Sequence, residues 1–83
     1  MTTDELLLIR IYNREHQALS ELYDRYSRLL WKISYRAVPD QAICEEIVSR
    51  IFNDVWASPE KFQNKKLPLI MVEYCYNCID TMP

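Results

Sequence analysis

The sequence predicts an all-α protein that folds as a compact bundle of about four helices. The first observation is the absence of glycine, where an average chain of 83 residues carries about six. Tight hairpin turns and phosphate-binding loops depend on glycine, so β-meanders, dinucleotide-binding folds and P-loops are disfavoured. The second observation is that apolar residues recur at helical spacing along most of the chain. With 49% apolar and 27% charged residues, residues 1–83 are expected to form one globular domain without an internal linker.

The first predicted helix begins at Thr2-Thr3-Asp4-Glu5, where a hydroxyl cap precedes carboxylates near the positive end of the helix dipole. Asn13 is expected to end this helix in the left-handed conformation. A longer amphipathic helix comes next and ends at Pro39, because the residue before a proline resists the helical conformation. Its predicted core stripe consists of Ala18, Leu19, Leu22, Tyr23, Tyr26, Leu29, Leu30 and Ile33.

The third predicted helix is capped by Asp40 and has the cleanest apolar stripe of the chain. That stripe consists of Ile43, Ile47, Val48, Ile51, Phe52, Val55 and Trp56. Ser58-Pro59-Glu60 places a proline in a first turn, which predicts a short helical turn that carries Phe62. The last helix is predicted from Pro68 to Asp80, and its apolar face consists of Ile70, Met71, Tyr74, Cys75, Cys78 and Ile79.

No uncharged run is long enough to span a bilayer, and Met1 is followed by polar residues rather than by a signal peptide. The three cysteines are an odd number without a secretory context, so no disulfide framework is expected. These features predict a cytoplasmic protein without membrane contact. Because Met1 has the appearance of a native start, we expect either an N-terminal piece or a complete short protein.

Cys75-x-x-Cys78 is the most tempting motif for chemistry. Its spacing matches a helical core stripe, where cysteine acts as a small hydrophobe, and it also matches a metal or thiol-redox pair. His16, the single histidine, is expected to be a solvated surface residue. Without a second histidine or a paired nucleophile there is no catalytic constellation, so we expect neither enzymatic activity nor a cofactor.

Two charged surfaces are predicted despite a net charge of only −2. The long helix carries a basic face with two aromatic neighbours: Arg25, Arg28, Lys32 and Arg36 beside Trp31 and Tyr35. This face is either simply solvated or contacts an anion or nucleic acid. Asp40, Glu45 and Glu46 cluster at the start of the third helix, where they either complement the helix dipole or form a docking surface for a basic partner.

Two stretches of the chain resemble a known family when they are taken together. The run from Ala18 to Tyr26 (ALSELYDRY) is similar to the opening of region 2 of extracytoplasmic-function sigma factors. The run from Cys44 to Trp56 (CEEIVSRIFNDVW) is similar to the most characteristic run of that family, an acidic pair before aliphatic, aliphatic-Phe and aliphatic-Trp positions. The segment from Pro59 to Phe62 (PEKF) is similar to the next segment of the family pattern. The resemblance covers the chain from about Asp4 to Asp80.

The resemblance implies a helical bundle that binds the β′ subunit of RNA polymerase core and the −10 region of promoter DNA. Its polymerase-binding residues would be Glu45, Glu46, Ser49, Arg50 and Asn53, facing the β′ coiled coil. Its DNA-binding residues would be Gln63, Asn64, Lys65, Lys66, Tyr76 and Asn77. An anti-sigma factor would be a further partner, and the region 4 domain that usually comes after region 2 is absent from this chain.

Two alternatives to a sigma factor stay open on the sequence. One is a diverged helical interaction module that keeps the same fold, binds a protein partner, and has little or no specific DNA binding. The other is a small metal or thiol-redox protein that uses Cys75 and Cys78, although zinc needs about four ligands.

Overall fold

The protein is a bundle of helices without strands over the described part of the chain. The computed structural model describes residues 2–63 and 66–81. Its elements are α1 (Thr3–Tyr12), α2 (His16–Ala37), α3 (Gln41–Ala57), a 3₁₀ turn (Pro59–Phe62) and α4 (Leu67–Thr81). The predicted all-α class and the four-helix architecture are therefore confirmed.

Two of the predicted helix starts are capped as expected. The Thr2 hydroxyl accepts a hydrogen bond of 3.1 Å from the Glu5 amide, and Asp40 Oδ1 accepts one of 3.2 Å from the Ile43 amide. Each bond satisfies an amide that has no partner within its own helix. Pro59 begins the predicted short turn, although the Ser58 side chain makes no capping bond.

The turn between α1 and α2 differs from the prediction by one residue. Asn13 ends α1 with φ −82°, and the left-handed residue is Arg14, with φ 66°. The Arg14 amide bonds to the Ile11 carbonyl at 2.9 Å and the Glu15 amide to the Arg10 carbonyl at 3.0 Å, the bond pair of a Schellman motif. The side chain of Arg14 contacts the end of α3, where its Nη1 donates to the Trp56 carbonyl at 2.6 Å.

The core lies where α2, α3 and α4 meet, with α1 and the 3₁₀ turn closing it. The buried stripe of α3 is confirmed for five of its seven predicted members: Ile47, Val48, Ile51, Phe52 and Val55. Ile43 and Trp56 are only half-buried at its edges. Phe62 is fully buried, as the short turn predicted, and its ring packs 5.0 Å from that of Tyr74.

The core stripe of α2 is narrower than predicted. Tyr23 and Leu29 belong to the predicted stripe, but they are 47% and 40% exposed. The reason is that α1 covers α2 toward its start and α4 covers it toward its end, so the side of α2 that is buried changes along the helix. Near the end of α2 this change buries Ser34, whose hydroxyl donates to the Leu30 carbonyl at 2.8 Å.

Side-chain contacts hold α1 against the first half of α2. The Tyr26 hydroxyl donates to Asp4 Oδ2, and Arg25 Nε lies 3.2 Å from Asp4 Oδ1 in an ion pair without hydrogen-bond geometry. Farther along α1, Arg10 Nη1 binds Glu21 at 2.6 Å. Burial and the bond to Asp4 raise the pKa of Tyr26 above its usual value.

Candidate partner-binding surfaces

The polar face of α3 carries all five residues predicted to bind polymerase, and all five are exposed. Glu46 and Arg50 form an ion pair of 3.0 Å one helical turn apart. Asn53 lies one turn later on the same side. Glu45 and Ser49 lie on the neighbouring side of the helix, toward α2. The predicted set is therefore one continuous surface with two edges that differ in their surroundings.

The α2-side edge of this surface opens into a groove, which we call the α2–α3 groove. It has a volume of about 550 Å³. Its lining comes from α2 (Tyr23, Ser27, Arg28, Trp31, Lys32) and from α3 (Glu45, Val48, Ser49). The groove thus combines two cations, two aromatic rings, two serine hydroxyls and one carboxylate around a buried valine.

The basic face of the long helix is divided by the fold. Arg25 is paired with Asp4, and the hydrogen bond with Tyr26 followed by the charge of Asp4 raises the pKa of Arg25. Arg28 and Lys32 make no ion pair with any residue in 2–63 and 66–81. Within the described residues, the charge of Arg25 is therefore neutralised, whereas the basic residues that come after it on this face are not.

The predicted DNA-binding residues are not gathered into one site among the described residues. Gln63 and Lys66 line a cavity of about 930 Å³ between α1 and the start of α4. Tyr76 and Asn77 are exposed on α4, about 14 Å along the helix from its first residue at 1.5 Å per residue. Asn64 and Lys65 lie outside the described residues.

The cavity beside Gln63 and Lys66 is mixed in character. Two carboxylate side chains, Asp4 and Glu5, lie on its α1 side, and Leu8, Ile9, Phe62, Leu67, Pro68 and Leu69 supply its apolar walls. Carboxylates disfavour a phosphate backbone by like-charge repulsion. The surroundings of Lys66 are thus less favourable to DNA than the sequence of the loop alone indicated.

The two cysteines of the Cys-x-x-Cys motif are parts of the packed interior rather than an open thiol pair. Cys75 is fully buried and its sulfur lies 3.2 Å from the Ser34 hydroxyl. Cys78 is half-buried, and burial raises the pKa of both thiols. Cys44, missed by the predicted core stripe, is buried and donates to the Val38 carbonyl at 3.3 Å. Within residues 2–63 and 66–81, no three His, Cys, Asp or Glu side chains cluster closely enough to hold a metal ion.

His16 is exposed as predicted, but it is not isolated from the protein. Its ring stacks on Trp56 with centroids 4.2 Å apart and planes 20° apart. The Arg14 guanidinium lies 5.0 Å from the same indole. This cluster ties the α1–α2 turn to the end of α3, which is a structural role.

Among the helices that the structure describes, none has the combined length and apolar character required to cross a membrane.

Comparisons with protein-family models, with curated proteins and with solved structures found no match to this chain.

The α2–α3 groove is the feature that sequence reasoning missed. The spacing of Arg28, Trp31 and Lys32 already indicated one face of α2. What the sequence did not indicate is that Glu45 and Ser49 of α3 border that face. The pairing of two helix faces depends on how the helices pack, which is not encoded in the spacing within either helix.

Proposed function

We propose that this chain is a region 2-type sigma factor module. It docks on the β′ coiled coil of RNA polymerase and contacts the −10 element of a promoter. The observation that carries the proposal is the division of α3, whose aliphatic and Phe positions are buried while the polar positions of the same motif are exposed. The proposal makes the chain a cytoplasmic binding protein without catalytic chemistry or cofactor.

The docking surface is centred on Glu46, Arg50 and Asn53. These side chains are exposed on successive turns of a helix whose opposite side is packed into the core. A helix fixed in this way presents its polar face with little cost in ordering, which favours binding. Glu45 and Ser49 form the edge of the surface toward the α2–α3 groove.

The proposal also includes contact with promoter DNA. Gln63 and Lys66 are exposed at the loop side of the bundle, and Lys65 precedes Lys66 in the sequence. A few phosphate contacts give weak binding that falls steeply with salt, because affinity then depends on counterion release. We therefore expect single-stranded −10 DNA to bind the isolated domain weakly and with little sequence preference.

A second candidate is a helical interaction module that binds a protein partner and not DNA. The observation that favours it is the carboxylate of Glu5 in the cavity beside Lys66, in addition to Asp4, which is already paired with Arg25. In this case the α3 surface would keep its docking role, while the loop side would have none.

A pull-down with a β′ coiled-coil fragment, with and without a single-stranded −10 oligonucleotide, separates the two candidates. Binding to both partners supports the sigma module, and binding to β′ alone supports the interaction module. Glu46→Lys should weaken β′ binding at least tenfold, because it reverses a charge at the centre of the proposed interface.

Glu73→Lys is the matched control, since it makes the same charge reversal at an exposed position of α4. It should leave β′ affinity unchanged. Circular dichroism must show that both variants remain folded. Equal affinity of the wild type and Glu46→Lys for the β′ fragment would contradict the docking surface.

A further inference from the structure

The outer face of α2 carries a repeating pair of one cation and one aromatic ring. Trp31 lies three residues after Arg28, and Tyr35 lies three residues after Lys32. These four residues fall on one face of the helix, because they are spaced by three and four positions. We call this set the α2 track. Its two pairs are displaced by four residues, or about 6 Å along the helix at 1.5 Å per residue.

The rings of the α2 track are arranged as a stacking surface. The Trp31 and Tyr35 rings have centroids 6.4 Å apart and planes within 14° of each other. Trp31 packs partly against the core, and Tyr35 is 48% exposed. Two nearly parallel rings at the surface, one of them fixed by the core, offer successive faces on which planar groups can stack.

The cations of the track are available to a ligand. Arg28 and Lys32 make no ion pair and no side-chain hydrogen bond with the residues that the structure describes. Arg25, one turn earlier, is already paired with Asp4. A chain with a net charge of −2 thus keeps a local unneutralised positive strip beside two rings.

The repeat of one cation and one aromatic ring on α2 matches the repeat of one phosphate and one base along a nucleic acid strand. Single-stranded nucleic acids are bound by positively charged grooves that track the backbone and by aromatic rings on which the bases stack. A double helix does not satisfy this arrangement, because its bases are already stacked on each other. An acidic peptide would satisfy the cations but leave the parallel rings without a matching repeat.

The other wall of the groove carries a hydrogen-bond acceptor that RNA and DNA would meet differently. Glu45 lies in the α2–α3 groove together with the hydroxyls of Ser27 and Ser49. A carboxylate repels phosphates but accepts hydrogen bonds, and the 2′-hydroxyl of ribose is a donor that the backbone of DNA lacks. An acceptor beside a cationic track therefore favours a ribose backbone.

We propose that the α2 track and the adjoining α2–α3 groove bind single-stranded RNA, with bases on Trp31 and Tyr35, phosphates on Arg28 and Lys32, and a ribose 2′-hydroxyl on Glu45. This surface is formed by α2 and the adjoining edge of α3, and it shares no residue with the cavity that Lys66 lines. The inference does not depend on docking to polymerase, and its test contains no polymerase.

The test is fluorescence anisotropy of the whole chain with labelled oligouridylate of about 12 nucleotides. Oligodeoxyuridylate of the same length is the second probe, because the two strands differ only at the 2′ position. We expect the ribo strand to bind at least threefold more tightly than the deoxy strand at low salt. Equal or tighter binding of the deoxy strand would overturn the assignment to RNA.

Two variants locate the site. Arg28→Gln with Lys32→Gln should weaken oligouridylate binding at least tenfold and reduce the slope of log affinity against log salt by about 1.4, for two lost phosphate contacts on a single strand. Lys61→Gln removes a positive charge from an exposed position outside the track and should leave affinity within twofold. The reverse result, with loss in Lys61→Gln and none in the double variant, would overturn the proposal.

Two single variants test the ring and the carboxylate. Tyr35→Ala should weaken binding of both strands about fivefold or more, since base stacking on one ring contributes about that much. Glu45→Ala, which removes the acceptor, should bring the ribo-to-deoxy affinity ratio toward one, whereas a purely electrostatic role of Glu45 would change both affinities equally. All substituted residues are exposed, and melting curves must confirm that each variant folds. No detectable binding of oligouridylate by the folded wild type at low salt would refute the proposal.

Discussion

The two halves of α2 contribute to one row of basic residues at helical spacing, yet the fold treats the two parts of the row differently. In the first half, Arg25 is paired with Asp4, and Glu21 with Arg10. In the second half, Arg28 and Lys32 have no ionic partner within residues 2–63 and 66–81. A row of basic residues in the sequence is therefore partly structural and partly available for binding.

The length and direction of α1 cause this difference. The start of α1 lies beside Arg25 and Tyr26 of α2, and Arg10 near its end lies beside Glu21, so the two helices run antiparallel. Because α1 begins at Thr3, it offers no carboxylate beyond the level of Tyr26. The position of one short helix thus decides which cations of its neighbour are neutralised.

The largest effect should come from the core, where the two halves of α2 are alike. Leu22 and Leu30 are both fully buried, one in each half. Leu22→Ala and Leu30→Ala should each lower the free energy of unfolding by about 2–5 kcal/mol, from lost transfer energy and the cavity left behind. Chemical denaturation measures both. A loss below about 1 kcal/mol in either variant would show that the burial of that half is misassigned.

The second-largest change in stability should differ between the two halves of α2. Asp4→Asn removes the carboxylate that Tyr26 and Arg25 share, and we expect a loss of about 1–3 kcal/mol because a part-buried hydrogen bond to a charged group is weakened. Arg28→Gln, in the second half, should change stability by no more than about 0.5 kcal/mol. Equal effects of the two substitutions would remove the distinction between the halves.

The same contact should appear in the alkaline pH dependence of stability. Burial and the bond to Asp4 raise the pKa of Tyr26 above its ordinary 10.0. The unfolded chain then loses this proton at lower pH than the folded protein, so the stabilisation is present below about pH 10 and declines as the pH rises above it. Tyr26→Phe should reduce this decline in denaturation curves between about pH 9 and 11. An unchanged slope would contradict the raised pKa.

The smallest effect should come from the ion pair on the proposed docking surface. Glu46 and Arg50 are both largely exposed, so Arg50→Gln should cost no more than about 0.5 kcal/mol of stability. If the pair serves binding, the same variant should lower β′ affinity by a larger factor than it lowers stability. A loss of stability above about 1 kcal/mol would instead give the pair a structural role.

The sequence was sufficient for the helices and for most of the core. The spacing of apolar residues in α3 correctly predicted Ile47, Ile51 and Val55 as buried, and Asp40 as its cap. Such features depend on residues within one or two helical turns of each other, so the spacing of apolar and polar residues along the sequence predicts them. The prediction failed at Tyr23 and Leu29, because their exposure depends on which neighbouring helix covers each turn of α2.

For the candidate sites, the sequence alone determined residue types and faces: the polar face of α3, the basic and aromatic face of α2, and the buried positions of Cys75 and Phe62. Only the tertiary structure decided that Asp4 neutralises Arg25 and that Glu45 faces Arg28 and Lys32 across a groove. It also decided that Arg14 rather than Asn13 adopts the left-handed conformation, and that the Arg14 guanidinium donates to the Trp56 carbonyl, 42 residues along the chain. Helical periodicity is a local property of the backbone, whereas the pairing of faces and the neutralisation of charges are set by contacts between residues distant in sequence.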